Sequence, residues 1–460
     1  MKTIINILAV SIFTIALLLL VKTSKAQDNI ALYFSKQPQA ANSNPAFMTN
    51  TKMYVTPPLL GRLALDLHTS GFAYNDLIHK HPTYSDSLQL DFEGLLNKLK
   101  DNNNLSLSFT FDIIGGGFKI GKNYFSIGSN MNIESKIGFS KDIVDFLVHG
   151  TNISSHNADI LDKQIMDATA YISTYIGYAR EINEQLTVGG RIKMYTGLFN
   201  IHTNKSIVHL DFDGNEVSAY SDFDINTSFA FGHLKTISSI MTQNSNFEFE
   251  QENNTSNSIS NAMNNKGIGF DMGASFKLND KMEISASIVD IGKITWKSNP
   301  TQIKSNNPNQ KISFSGVGVN YENISDNLTS YFDDMADSLK RAFDLNVKSI
   351  KSYSTAVPTK IYVGYSWEFY PRMHMQALYN GRVINGSLEN SLTLNYAFLT
   401  GPLHIAIGNT FKYTWFNPSL LISLGSNFYI GTSFSSSYNL AKTSGVTTFL
   451  GFNFTIKNKI

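Results

Sequence analysis

Cysteine is absent from all 460 residues. That excludes disulfide staples, thiolate metal sites and a lipidated N-terminal cysteine, even though an exported chain would ordinarily meet an oxidising compartment. Charge is sparse too: 16% of residues are charged against 42% hydrophobic, a mixture too polar for a bundle of membrane helices. Beyond the first 26 residues no hydrophobic run is long enough to span a bilayer as a helix. No G-x-S-x-G, H-E-x-x-H, Walker A or G-x-G-x-x-G pattern occurs, so no local motif supports catalysis or cofactor binding. The ten histidines are scattered and give no spacing for a metal site. Acid pairs such as Asp333-Asp334 fall on an expected loop helix, where a solvated face is the ordinary explanation. The expectation is a chain that is no enzyme, holds no cofactor or metal, and has no basic footprint for nucleic acid.

The N-terminus is a different matter. Residues 1–26 carry Lys2, an apolar run from Ile4 to Val21 and the small-residue end Ser24-Lys25-Ala26, the layout of a secretory leader cleaved after Ala26. An uncleaved anchor is the alternative, since eighteen apolar residues nearly span a bilayer. Removing the leader takes away three lysines and leaves 34 basic against 36 acidic side chains.

From about Lys52 onward, period two dominates. Leu105, Leu107, Phe109, Phe111 and Ile113 alternate with Ser106, Ser108, Thr110 and Asp112. Leu186, Val188, Gly190, Ile192 and Met194 alternate with Thr187, Gly189, Arg191, Lys193 and Tyr195. Phe270, Met272, Ala274, Phe276 and Leu278 alternate with Asp271, Gly273, Ser275 and Lys277, and the rhythm resumes at Met282, Ile284, Ala286 and Ile288. A strand crossing hydrocarbon needs about ten such residues, one face to lipid and one to a lumen. Alternation alone also describes a soluble sandwich, so connection length supplies the second test. Expected strands are 61–73, 104–113, 124–139, 168–180, 186–202, 267–278, 282–296, 355–368, 372–382, 390–398, 403–414, 418–426, 428–437 and 446–456. The connections 114–123, 181–185, 279–281, 369–371, 399–402 and 427 fall on one side and are short. The connections 74–103, 140–167, 203–266 and 297–354 fall on the other and are long, the sorting expected of periplasmic turns and external loops.

Within the long loops, Leu90–Lys100, Ile143–Val148 and Leu328–Phe343 have helical spacing, and Asp213-Gly214-Asn215 reads as the turn of an external hairpin over 207–224. The Asn- and Ser-rich stretch 243–265 reads as disordered by composition. Tyr124, Tyr171, Tyr195, Trp296, Trp367, Tyr370, Tyr413 and Trp415 sit near expected strand ends, where interfacial girdles belong.

Several motifs in order resemble an uncharacterised outer-membrane barrel family of Bacteroidota, a domain-of-unknown-function family itself similar to long-chain fatty-acid transporter and PorV-type barrels. They are Asn44-Pro45-Ala46, Pro57-Pro58-Leu59-Leu60, Gly190 to Gly197, Gly269 to Lys277, Asp290 to Trp296, and Val357-Pro358-Thr359-Lys360-Ile361 with Gly364. The resemblance implies that the N-terminal segment carrying Asn44, Pro45 and Ala46 plugs a fourteen-stranded barrel; a frayed periplasmic tail is the alternative. The chain departs from many barrels by ending in Lys457-Asn458-Lys459-Ile460, without a terminal aromatic.

The expectations are therefore an all-β, transmembrane antiparallel β-barrel of about fourteen strands, with external loops carrying short helices. Residues 1–26 form the leader, 27–50 a periplasmic or lumenal segment and 51–460 the barrel, in a Gram-negative outer-membrane bilayer. Arg191, Lys193, Asp271, Lys277, Glu283 and Glu368 are expected to point into the lumen. The function expected is binding or passage of small hydrophobic molecules. The alternative is an anchoring barrel that partners a secretion, adhesion or gliding machine.

Overall fold

The structure, a computed structural model, describes residues 30–457 except 36, 50, 81–86, 150–156, 162–165, 214–215, 235–248, 307, 309–311, 316–344, 385, 412–415, 436 and 438–441. The leader and the expected helix Leu328–Phe343 lie outside the described residues. Fourteen antiparallel staves close into a barrel: the first pairs with the fourteenth through Met53↔Ile456 and Leu63↔Leu450. Closure satisfies every edge, which lipid cannot do, since an unpaired backbone group in hydrocarbon costs several kcal/mol.

The staves follow the expected order with three differences at their ends. The first, expected over 61–73, begins at Thr51 and comes in two pieces, Thr51–Thr56 and Leu63–Thr69. Pro57 and Pro58 have no N–H to give the ladder, and Leu59 takes φ 63°, so 57–62 bulges from the wall. The second and third staves, Asn102–Ile120 and Asn123–Ser140, run on through most of the expected turn 114–123 and leave Gly121-Lys122 as the connection. The fifth, Leu186–Asp213, continues far past residue 202. Its lower part pairs with the sixth stave, Lys266–Asn279, and its upper part with Glu216–Phe229, forming the hairpin expected around Asp213-Gly214-Asn215. The remaining staves include Met166–Glu181 (fourth), Met282–Trp296 (seventh), Thr359–Tyr370 (eighth), Met373–Ile384 (ninth) and Ser387–Thr400 (tenth).

Side-chain exposure inverts the pattern of a soluble protein. On the fifth stave Ile192 and Met194 are 64% and 62% exposed while Arg191, Lys193 and Tyr195 are buried. Ile268, Phe270 and Met272 are exposed on the sixth, where Asp271 is buried. Such an outside is stable only in oil, where each side chain of this size gains about 1.5–3 kcal/mol over water. The chain is a transmembrane barrel.

Among the described residues, three helices of seven or more residues lie in the long loops: α1 (Phe92–Lys98), α2 (Lys141–His149) and α3 (Thr255–Asn264). Asp91 caps α1 by accepting from Gly94 N at 2.7 Å, and α1 and α2 share an apolar cluster of Leu95, Leu96, Leu99 and Val148. Helix α3 overturns the disorder expected for 243–265 over its own span. Asn254 caps it, accepting from Ser256 N, so the Asn/Ser content that reads as disorder is partly capping chemistry.

Candidate functional site

The described residues of the segment 30–49 lie against the inner wall at the short-turn end. Leu32 joins a buried cluster with Ala397, Leu421, Tyr429 and Phe449, and Tyr33 another with Val289, Tyr362 and Leu378. Polar partners circle the lumen. Tyr33 Oη donates to Ser285 Oγ at 3.0 Å, and Gln37 Nε2 to Gly425 O at 2.6 Å. Gln39 Nε2 donates to Asn453 Oδ1 at 2.8 Å, and Ser287 Oγ to Ser43 O at 2.6 Å. Asn44 is fully buried; its Nδ2 donates to Ala274 O at 3.2 Å, and its Oδ1 accepts from Ala46 N at 3.0 Å. Pro45 crosses two glycines of the wall: a Cβ on Gly189 would sit 2.3 Å from Pro45 O, and one on Gly273 2.1 Å from Asn44 Oδ1.

Just above this segment lies a buried ionic cluster. Lys193 Nζ reaches Asp271 Oδ2 at 2.8 Å and Asp290 Oδ1 at 2.6 Å. Arg191 stacks 4.2 Å from the Tyr175 ring centroid and donates to Asn42 Oδ1 at 2.7 Å. Asp290 enters through a bulge: opposite Asp271 the seventh stave carries an extra residue, and Asp290 takes φ 61°, a left-handed conformation that Asp tolerates. Asp271 Oδ1 accepts from Asp290 N at 2.8 Å and fixes the bulge. Of the six charges expected in the lumen, the structure brings together Arg191, Lys193 and Asp271. Glu283, half-buried, accepts from Ser275 Oγ, and Glu368, also half-buried, accepts from Arg372 N at 2.8 Å. Lys277 is exposed. These three sit at the short-turn end, away from the cluster.

Two adjoining cavities open above the segment. The lower, about 80 Å³, is floored by Asn42 and Ser43 and lined by Arg62, Arg191, Lys193, Asp290 and Lys360. The upper, about 110 Å³, shares Asp66, Ser108 and Tyr171 with it. Part of the upper cavity's lining is apolar, made by Ile294, Val357, Pro358 and Ile384. Polar pairs make up the rest: Arg382 with Glu134 and Lys136 with Glu389 at 3.4 Å bridge across the lumen, and His202 meets Asp167 at 2.6 Å and His68 meets Asp66 at 2.7 Å. Sequence reasoning missed Asp66 and His68, although Leu63, Leu65 and Leu67 alternate with Ala64, Asp66 and His68 in plain view.

Four aromatics expected in the interfacial girdles turn inward instead. Tyr124 is buried with Tyr54, and Tyr171, Tyr195 and Trp296 join Ile294 and Val357 in a cluster beside the upper cavity. The Asp290 bulge shifts side-chain parity on the seventh stave, which aims Trp296 at the lumen, where Nε1 donates to Thr355 Oγ1 at 2.8 Å. Trp367 is half-buried and Tyr370 exposed; Tyr413 and Trp415 lie outside the described residues. Ser435 Oγ lies 3.3 Å from His68 Nδ1, so Ser435, His68 and Asp66 form a hydrogen-bonding row. Ser435 is buried and lines neither of these two cavities. Among the described residues no group of three His, Asp or Glu side chains is placed to hold a metal.

The Family of unknown function (DUF5723) matches residues 45–433. The chain belongs to that family. The DUF5723 match runs from Pro45, on the inner wall, to the thirteenth stave, Phe428–Ser435. No curated protein matches this DUF5723 chain. Among solved structures it is similar to the Ralstonia pickettii toluene transporter TbuX, at 12% identity and TM-score 0.41 over 91% of this chain and 94% of that one. It is similar also to a Pseudomonas aeruginosa FadL homologue, at 11% identity and TM-score 0.43 over 95% and 100%. The Pseudomonas putida toluene transporter TodX gives 9% identity and TM-score 0.38 over 94% and 93%. Likeness at that level adds no argument to the strand pairing itself.

Proposed function

We propose that this chain is a plugged barrel of a Gram-negative outer membrane that takes small, hydrophobic or amphiphilic molecules from outside into the chamber above residues 30–49. The observation that carries the reading is the pair of adjoining cavities, the upper with apolar side chains in its lining and the lower with Arg62, Arg191 and Lys360 in its wall. An apolar body fits against Ile294, Val357 and Pro358, while a polar or anionic end reaches Arg191. Arg191 lines the lower cavity, and its guanidinium donates to Asn42 Oδ1 and lies over the Tyr175 ring, which leaves donors for a ligand. Residues 30–49 are the plug in this reading, supported by their burial and their hydrogen bonds around the lumen. The leader at residues 1–26 supports export, and the ordered motifs from Asn44-Pro45-Ala46 to Gly364 support a Bacteroidota origin and kinship with PorV-type barrels.

The test combines native mass spectrometry of the detergent-extracted protein with uptake of apolar and amphiphilic tracers into liposomes. A co-purifying small molecule, or flux that drops at least tenfold on Val357→Glu, is the expected result. Neither bound molecule nor flux from wild-type protein would remove the proposal.

A further inference from the structure

Helix α3 contains no charged residue: its sequence is Thr-Ser-Asn-Ser-Ile-Ser-Asn-Ala-Met-Asn. One side holds it to the barrel. Ala262 is buried, Asn261 Nδ2 donates to Ala230 O at 3.1 Å, and Asn265, just past its end, accepts from Lys297 N and Ser298 N through Oδ1. One turn apart on the other side, Ile259 and Met263 are each 57% exposed. In water, two exposed apolar side chains on a ten-residue helix without charge have nothing to recommend them.

The height of the helix supplies their environment. On the sixth stave the outward apolar side chains run from Leu278 up to Ile268. At a rise of ~3.3 Å and a tilt of ~40°, that stretch covers about 25 Å along the membrane normal, the height of a barrel's apolar band. Lys266 begins the stave, is exposed, and marks the upper rim. Helix α3 ends two residues before it. Beside the helix, on either side of Ala230, Phe229 and Phe231 cluster with Phe199, ring centroids 5.9–6.4 Å apart. Such a phenylalanine group belongs at the edge of hydrocarbon.

We propose that α3 lies in the headgroup plane of the outer leaflet, continuing the barrel's lipid-facing surface, with Ile259 and Met263 dipped into the acyl boundary. Its serine and asparagine side chains then face sugar and phosphate groups as neutral donors and acceptors. Anionic headgroups do not repel it, because the helix carries no carboxylate. The occupant of this face is the lipid surface and not another protein.

The absence of cysteine makes the test direct. Single variants Ile259→Cys, Met263→Cys and Asn257→Cys, with Met272→Cys as a lipid reference and Lys122→Cys as an aqueous one, are spin-labelled. They are then reconstituted into phosphatidylcholine and phosphatidylglycerol vesicles, and correct folding of each is checked by heat-modifiable gel migration. Collision with oxygen, which partitions into lipid, is compared with collision with a polar nickel chelate. Positions 259 and 263 should give an oxygen-to-nickel ratio approaching that at 272 and several-fold above those at 257 and 122. Nickel access at 259 and 263 equal to that at 257 would place the helix in water and overturn the proposal. Exclusion of both reagents would mean that protein covers the face, and overturns it equally.

Discussion

The two halves of the lumen are built on opposite principles. The lower half is filled: Leu32 and Tyr33 supply apolar packing, and Gln37, Gln39 and Asn44 join the wall through neutral amides. The upper half is hollow and more strongly polar, with two ion pairs and two histidine–aspartate pairs around a cavity of about 110 Å³. Neutral hydrogen bonds contribute only about 0.5–1.5 kcal/mol each and can be released one by one, whereas breaking a buried charge pair costs about 3–5 kcal/mol. A gate belongs on the first kind of contact and a rigid chamber on the second.

The comparison can be broken in graded ways. Deleting residues 30–49 should have the largest effect, turning a closed barrel into a steadily conducting one in planar bilayers; unchanged conductance would mean that the lower half is not what blocks the lumen. Lys193→Met removes the cation between Asp271 and Asp290, and should lower stability to denaturant by about 3–5 kcal/mol, read from urea titration of the folded barrel in detergent. Gly273→Val puts side-chain atoms where Asn44 Oδ1 lies, and should expose residues 30–49 to protease while the staves stay protected. Asn44→Ala removes the donor to Ala274 O and the acceptor of Ala46 N, a loss of about 1–3 kcal/mol visible as brief openings against a closed baseline. The smallest effect is in the loops. His149 bridges Asp145 at 2.5 Å and Glu93 at 2.7 Å. The Asp145 hydrogen bond raises its pKa against the opposing effect of desolvation, and the Glu93 hydrogen bond adds to the rise. The clasp between α1 and α2 is therefore fully present below the ordinary histidine value near 6.5 and is lost as pH rises through the raised one. Spin labels on the two helices should show a broader distance distribution at alkaline pH, and His149→Gln should remove that dependence.

Stave number and order were legible because lipid enforces period two on every crossing and the long connections sort to one end. The stave ends were not: Pro57-Pro58 resembles the approach to a strand, yet Thr51–Thr56 already pairs with the second stave below it. In the lumen the legible part was the stretch where alternation is unbroken. Arg191 and Lys193 face inward with Tyr195, and their rhythm already said so; reading Tyr195 as an interfacial ring ignored its own neighbours. Trp296 was beyond reach for a different reason. Continuing the outward set Met282, Ile284, Ala286 and Ile288 by twos lands on Trp296, and only the extra residue at Asp290 reverses that parity. A bulge held by a side chain on the facing strand leaves no periodic trace, so Asp290 itself was invisible.

The fifth stave has 28 residues, about 90 Å of extended chain at ~3.3 Å each. A bilayer crossing consumes only about ten of them. The stave's upper part extends beyond the headgroups, braced by Glu216–Phe229 on one edge and by Asn157–Leu161 on the other. A molecule that approaches these paired strands touches protein well before it comes near oil.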